Sequence, residues 1–225
     1  MKRTPILLSW SGGKDAAWTL HALRQRDDVE VVGLLTTFTE GYDRVAMQGI
    51  RRTVLLAQAE AAGLPVIEAW MPQGTDNAGY EATFATALEH ARERWPGMTD
   101  IAFGDLFLED IKAYRDALCA RLGCTPHYPL SGSDTSVLAR SMPDGGVRAW
   151  LCCVDTTQLD ARFAGHAFDA DLLAELPDAV DPCGERGEFH TLAIAGPMFA
   201  TVLAVQRGQT VLRDGRFAYT DFILP

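Results

Sequence analysis

Apolar residues along this chain recur with two alternating periods. ILLSW, at residues 6–10, is a short unbroken apolar run of the kind a buried strand makes, and Ala16, Leu20 and Leu23 follow it at helical spacing. Residues 29–38 form a second apolar run, rich in β-branched side chains, as parallel strands covered on both faces require. A helix with Ile50, Val54, Ala57 and Ala61 on one face then stops at Gly63-Leu64-Pro65, and PVIEAW follows as a third strand. Tyr80, Phe84, Ala87, Ala91 and Trp95 stripe the next helix up to Pro96-Gly97. TDIAFGDL makes a fourth strand, and Ile111, Tyr114, Leu118 and Leu122 stripe a helix that ends at Gly123. Strand and helix alternate at least four times, which predicts a doubly wound, mostly parallel α/β sheet of Rossmann-like type with right-handed crossovers.

VRAWLCCVD, residues 147–155, reads as one more core strand of that sheet. Past about Gly165 the rhythm changes to a short helix near residues 169–176, a Gly-rich turn region at 181–190, and then strands separated by RGQ and RDGR. Asp214-Gly215 between apolar runs is a strong hairpin signal. The expected division is an α/β unit over residues 1–160 and a small C-terminal α+β extension over residues 161–225.

Composition narrows the function classes. With 225 residues, 48% of them apolar or aromatic and 22% charged, the chain has the makeup of one well-buried soluble domain. No apolar run approaches the roughly 20 residues of a membrane span. No small-residue cleavage pattern follows the first apolar run, so the start reads as a strand and not as a signal peptide. Cys119, Cys124, Cys152, Cys153 and Cys183 contain no CxxC pair, which fits reduced thiols in a cytoplasmic protein and argues against a zinc site. Acidic residues outnumber basic ones 30 to 20, and the net charge of −10 disfavours nucleic acid as a partner.

The first strand runs straight into Ser11-Gly12-Gly13-Lys14-Asp15 and a helix. In an open parallel sheet ligands bind beyond the carboxyl ends of the strands, where this segment lies. Gly12 and Gly13 allow a sharp turn and close approach to the main chain, so successive N–H groups can form an anion-binding nest. The helix N-terminus adds about half a positive charge and Lys14 a mobile full one. Such a loop is built for phosphate, yet it is neither GxxxxGK followed by Ser or Thr nor GxGxxG.

SGGKD after a first strand resembles the PP-loop of the N-type ATP pyrophosphatases. The likeness continues through LLTTF, AEAAGLP, FGDL, HYPL, VRAWLCCVD and GERGEFHTLAIAGPMF, which are similar in order and spacing to the diphthine–ammonia ligase family over residues 4 to about 199. That resemblance implies cleavage of ATP between its α and β phosphates. It also implies phosphate binding along Ser9, Ser11, Gly12, Gly13, Lys14 and Asp15, adenine near Thr36 at the end of the second strand, and the GE-GE segment in the active site. Three positions depart from the family pattern. Ala16 stands where SGGKDS is usual, and Ser131 where many members have Trp. His190 stands where diphthamide-making members tend to carry an acidic residue, and there the chain resembles a bacterial branch linked by inference to cobalamin salvage.

Two further segments carry ionisable groups. Gly184 and Gly187 disfavour a regular helix over residues 181–191, so that loop can aim Glu185, Glu188 and His190 into one pocket. Paired carboxylates there would hold magnesium on phosphate oxygens or take protons from an incoming amine; the plain alternative is a solvated acidic turn. Gly104-Asp105 ends the fourth strand, where the carboxylate either binds metal or substrate or caps the next helix. Asp15, in the first helical turn, is favoured by the dipole and is equally a magnesium ligand. Cys183 reads as a small filler of the same loop.

The resemblance implies an ATP-dependent ligase that adenylates a carboxylate acceptor, a small molecule or a protein side chain, and then transfers ammonia with release of AMP. Lys14, Glu185, Glu188 and His190 are the expected catalytic groups, and Asp15, Asp105, Glu185 and Glu188 the expected carboxylates for Mg2+. The alternatives are a non-catalytic adenine-nucleotide sensor and a PP-loop enzyme acting on a cobalamin-related or other small substrate. A cytoplasmic location with no membrane partner is expected, and a homodimer is left open.

Overall fold

The computed structural model describes residues 3–106 and 109–225; Met1 and Lys2, the head of the basic start, lie outside the described residues. The apolar run at the start becomes β1 (Thr4–Ser9), which pairs in parallel with β2 (Val29–Thr39) on one edge. Helix α1 (Lys14–Arg24) connects the two. The two-residue β3 (Arg44–Val45) runs antiparallel to the tip of β2. Beyond it come α2 (Arg52–Ala62), closed by Gly63 in a left-handed conformation at φ 66°, and β4 (Val66–Met71), which pairs with the far edge of β2.

After α3 (Asn77–Arg94) the chain crosses to the other side of β1, where β5 (Asp100–Ala102) pairs with it. Helix α4 (Glu109–Leu122) then leads to β6 (Thr125–His127) beside β5. The parallel order is β4-β2-β1-β5-β6, so the winding direction reverses between β1 and β5. The crevice beyond the carboxyl ends of those two strands is the topological switch point, the usual ligand site of such a sheet. Alternate residues of β1 feed opposite faces, as the two-residue period of a strand demands. Leu8 packs with Leu20, Phe38 and Val54, while Leu7 packs with Leu35, Phe84 and Ile101.

Three elements escaped the hydrophobic pattern. β3 has only two residues. β6 has three residues, one of them Pro126, and is too short to show a period. Helix α5 (Thr135–Asp144) is announced by its cap instead: Asp134 accepts the Val137 N–H at 3.0 Å.

The strand at VRAWLCCVD exists as β7 (Arg148–Asp155), but it belongs to a second sheet and not to the parallel one. A 3-10 turn at Ala161–Phe163 and the short α6 (Ala170–Glu175) follow. β7 lies between β8 (Phe189–Ala195) and β10 (Phe217–Ile223), antiparallel to both, with β9 (Gln206–Arg213) outermost. Near-continuous burial signals a central strand covered on both faces but says nothing of its direction. The second sheet therefore starts upstream of residue 160. Asp214 and Gly215 both adopt left-handed conformations in the β9–β10 turn, at φ 52° and 63°, as the hairpin reading requires. The RGQ segment, expected as a break, lies inside β9. No helix among the described residues is long and apolar enough to cross a membrane.

Candidate active site

The loop after β1 is shaped by its two glycines and held by the second sheet. Gly12 sits at φ 80°, and a side chain there would strike Gln58 Oε1 at 2.7 Å and Ile50 Cδ1 at 3.0 Å. Gly13 is the extended N-cap of α1, and its N–H donates to Ser11 Oγ at 3.3 Å. The edge of β8 clamps this turn. Ala193 N–H donates to the Gly12 carbonyl at 2.9 Å, and Thr191 Oγ1 accepts the Lys14 N–H at 3.0 Å. Gln58, fully buried, ties the two sides together by donating Nε2 to the carbonyls of Gly12 at 2.8 Å and Ala193 at 2.6 Å. Sequence reasoning missed Gln58, although an amide on the apolar face of α2, in line with Val54 and Ala61, was the signal.

What remains of the helix N-terminus is open. Among the described residues, the N–H groups of Gly12, Asp15 and Ala16 meet no acceptor. Gly104, at the end of β5, faces them across the switch point: a Cβ on it would sit 3.2 Å from Ala16 N and 3.2 Å from the Asp15 carbonyl carbon. A side chain at 104 would fill this cradle, which explains glycine there without any left-handed backbone. Free N–H donors at a helix N-terminus, beside a space kept clear, form an anion site. Thr36, expected near adenine, donates its hydroxyl to the Trp10 carbonyl at 2.7 Å and fixes the end of β1. Ser9 is the last residue of β1, half-buried beneath the loop.

Lys14 departs from the expected mobile cation. Its side chain is 1% exposed, packed between the Phe168 and Phe189 rings at 5.1 and 5.6 Å, and its ammonium donates to the Cys183 carbonyl at 2.5 Å and to both Asp15 oxygens at 3.0 and 2.9 Å. Burial opposes the charge, but the facing carboxylates and dipoles raise the ammonium pKa above its usual value, so it stays protonated. Lys14 is thus a latch between the first loop and the loop at residues 181–189. Cys183 itself is no nucleophile: burial pushes its thiol up to about 12.

The acidic loop divides its labour. Glu188, 2% exposed, accepts the Asp181 N–H at 2.8 Å and the Arg186 N–H at 2.9 Å, while Asp181 accepts from Cys183 N–H and Thr135 hydroxyl at 2.8 Å each. Glu188 therefore staples its own loop. Glu185 is the carboxylate that enters the site. It accepts the Leu106 N–H at 2.9 Å, and burial together with Asp15 and Asp105 pushes its pKa up to about 7, against the pull of that N–H and of Lys14. Asp105 is held by Arg115, whose Nε lies 2.5 Å from Oδ2 and whose guanidinium covers the Phe103 ring at 4.3 Å. His190 occupies β8 opposite Cys153, and burial and the Lys14 charge lower its pKa to about 4, leaving it neutral.

A parallel sheet with the order above, an SGG turn and an open helix N-terminus at its switch point define a nucleotide-binding enzyme of the PP-loop class. Residues 3–126 match the diphthamide synthase N-terminal domain, and residues 134–218 match the diphthamide synthase C-terminal domain. The chain belongs to the diphthamide synthase family, the diphthine–ammonia ligase type of PP-loop ATP pyrophosphatase, and is an ATP-using enzyme. No curated protein matches it.

Proposed function

We propose that this protein is an ATP-dependent amide ligase. A carboxylate oxygen of the acceptor attacks the α-phosphorus of ATP, the α–β phosphoanhydride bond breaks, and pyrophosphate leaves. Ammonia then attacks the acyl carbon, the bond to AMP breaks, and an amide remains. The supporting observation is the pairing of an open helix N-terminus opposite Gly104 with one carboxyl group, Glu185, tuned to about 7. The free N–H groups of Gly12, Asp15 and Ala16 suit the phosphates, because donors fixed before reaction need no reorganisation as charge shifts onto pyrophosphate. A carboxylate half-ionised near neutrality suits a base that receives the proton shed by ammonia as the amide forms.

Among the described residues no three side chains form a metal cage. Magnesium needs none, since it commonly binds through one or two carboxylates plus phosphate oxygens. Asp15 and Asp105 fit that requirement, being near enough to Glu185 to perturb it and 28% and 23% exposed, whereas Glu188 is 2% exposed with its oxygens turned to N–H groups of its own loop. When bound, the ion would neutralise phosphate charge. Lys14 acts at one remove, as a positioning residue that locks the Glu185 loop over the phosphate turn.

Exchange of radiolabelled pyrophosphate into ATP, driven by a panel of small carboxylates with magnesium, tests the reaction. Label in ATP with at least one carboxylate supports adenylation. ADP and phosphate as the products would refute it.

A further inference from the structure

A second cavity, of about 370 Å3, opens at the carboxyl edge of the parallel sheet, away from the phosphate turn. Its walls come from both sheets: Thr39 at the end of β2, Gln73 just past β4, the turn at Tyr42–Gly49, and the β9–β10 hairpin. That volume is at the small-molecule end of ligand sites. We infer that this cavity is the acceptor site, and that it takes a small carboxylate with an apolar body, recognised by Arg213 and Arg44. The inference rests on the ligase reading above.

Charge is the first support. Asp221 is shared by Arg44 at 3.0 Å and Arg51 at 2.6 Å, so two guanidinium groups face one carboxylate. Arg213, on the same β9–β10 hairpin, also lines the cavity and makes no ion pair among the described residues. Among the residues that line the cavity, two cations, Arg44 and Arg213, meet two anions, Asp214 and Asp221, in a chain whose net charge is −10. Because Asp221 is already paired with Arg44 and Arg51, Arg213 is left to meet an anionic ligand, in a lining free of the net negative charge of the whole chain.

Shape is the second. Tyr42 and Met47 stand at the rim with 56% and 66% of their surfaces exposed, large apolar groups left in water beside a cavity. Met47 is also held at φ 68°, a left-handed conformation that an unbranched side chain rarely adopts, and the Tyr219 hydroxyl pins it by donating to its carbonyl at 3.2 Å. Strain of this kind persists where the surroundings over-determine it. Here they present the thioether at the mouth of the cavity.

Position is the third. Gly49 forms part of the wall, packed on the Tyr219 ring, and the next residue, Ile50, reaches within 3.0 Å of the Cβ position of Gly12. Ile50 therefore links the cavity wall to the phosphate turn. Tyr219, Cys153 and His190 lie in register across β10, β7 and β8, on one face of the second sheet. At about 4.8 Å between neighbouring strands, that row carries His190 to within about 10 Å of the cavity wall.

The probes are 4-phenylbutyrate, its amide and plain butyrate, titrated by protein-observed NMR or calorimetry without nucleotide. The carboxylate is expected to bind at least tenfold more tightly than either control. Arg213→Gln should reduce carboxylate binding about tenfold and leave the amide unchanged. Met47→Gly, which relieves the left-handed strain, should keep or raise the melting temperature while weakening phenylbutyrate several-fold. Equal binding of acid and amide, no effect of Arg213→Gln, or no binding of any probe at millimolar concentration would overturn the inference. If phenylbutyrate binds as expected but ATP does not bind the chain, the cavity stands as a carboxylate site and the ligase reading falls.

Discussion

Replacing Lys14 by methionine separates a latch from a phosphate clamp. Methionine keeps the length and apolar stem of the side chain and removes its charge. In the folded protein that charge donates to the Cys183 carbonyl in a buried contact at 2.5 Å, and a hydrogen bond from a charged donor contributes about 1.5–3 kcal/mol. The faces of Phe168 and Phe189 add about 1 kcal/mol. The Asp15 contact counts for less, because that carboxylate is 28% exposed and screened. Burial penalises the ammonium, yet its pKa is raised, so its partners outweigh the penalty.

The expected loss is about 3 kcal/mol, which for a chain of this size lowers the melting temperature by roughly 6–12 °C. Because the folded pKa lies above the ordinary 10.5, this contribution is complete below that pH and is lost only as pH rises through the folded value. The gap between wild type and variant should therefore be flat through the neutral range. Calorimetric melting and an ATP titration on the same samples make the assay. A melting temperature within about 2 °C of wild type, with ATP affinity reduced tenfold or more, would place the ammonium on the phosphates and refute the latch.

The other predictions follow from single contacts. Gly104→Ala puts a Cβ 3.2 Å from Ala16 N, so ATP affinity should fall about tenfold or more, read by titration, while melting shifts by only a few degrees. Glu185→Gln should lower single-turnover amide formation by tenfold or more and remove a rate increase centred near pH 7; an unchanged profile would free Glu185 from the base role. In stability the same variant acts with the opposite sign. The wild-type carboxyl titrates near 4.5 unfolded and about 7 folded, so its favourable contribution is present below the first value and lost as pH rises through the second. Glu185→Gln should therefore gain on wild type between pH 4.5 and pH 7 in a melting series. For His190, lowered from 6.5 to about 4, stability is present above 6.5 and lost as pH falls toward 4, and His190→Gln should blunt that acid loss.

How much of this was legible in the sequence depends on what each feature rests on. Strands and helices of the parallel sheet were readable because burial on fixed faces imposes a period, and the SGG turn because glycine at φ 80° leaves a residue signature. Strand direction leaves none, so β7 was assigned to the wrong sheet. Long-range partners were equally hidden. Glu185 and Glu188 are three residues apart and chemically identical, but only the fold decides that one accepts from Leu106 across the site and the other from its own loop. Lys14 was expected at phosphate because a lysine after two glycines suits one, and its contacts with Cys183, Phe168 and Phe189 left no signal in the sequence. Its burial under Phe168 and Phe189 comes from a bend and a strand contributed more than 150 residues later.

The central claim, that phosphate sits on the open N-terminus of α1 at the switch point, is tested most directly by a crystal structure with magnesium and an ATP analogue carrying a methylene bridge between the α and β phosphates. Phosphate oxygens within hydrogen-bond distance of the Gly12, Asp15 and Ala16 N–H groups, beside Gly104 and facing Glu185, are the predicted result. A triphosphate bound elsewhere, with those three N–H groups unengaged, would contradict it.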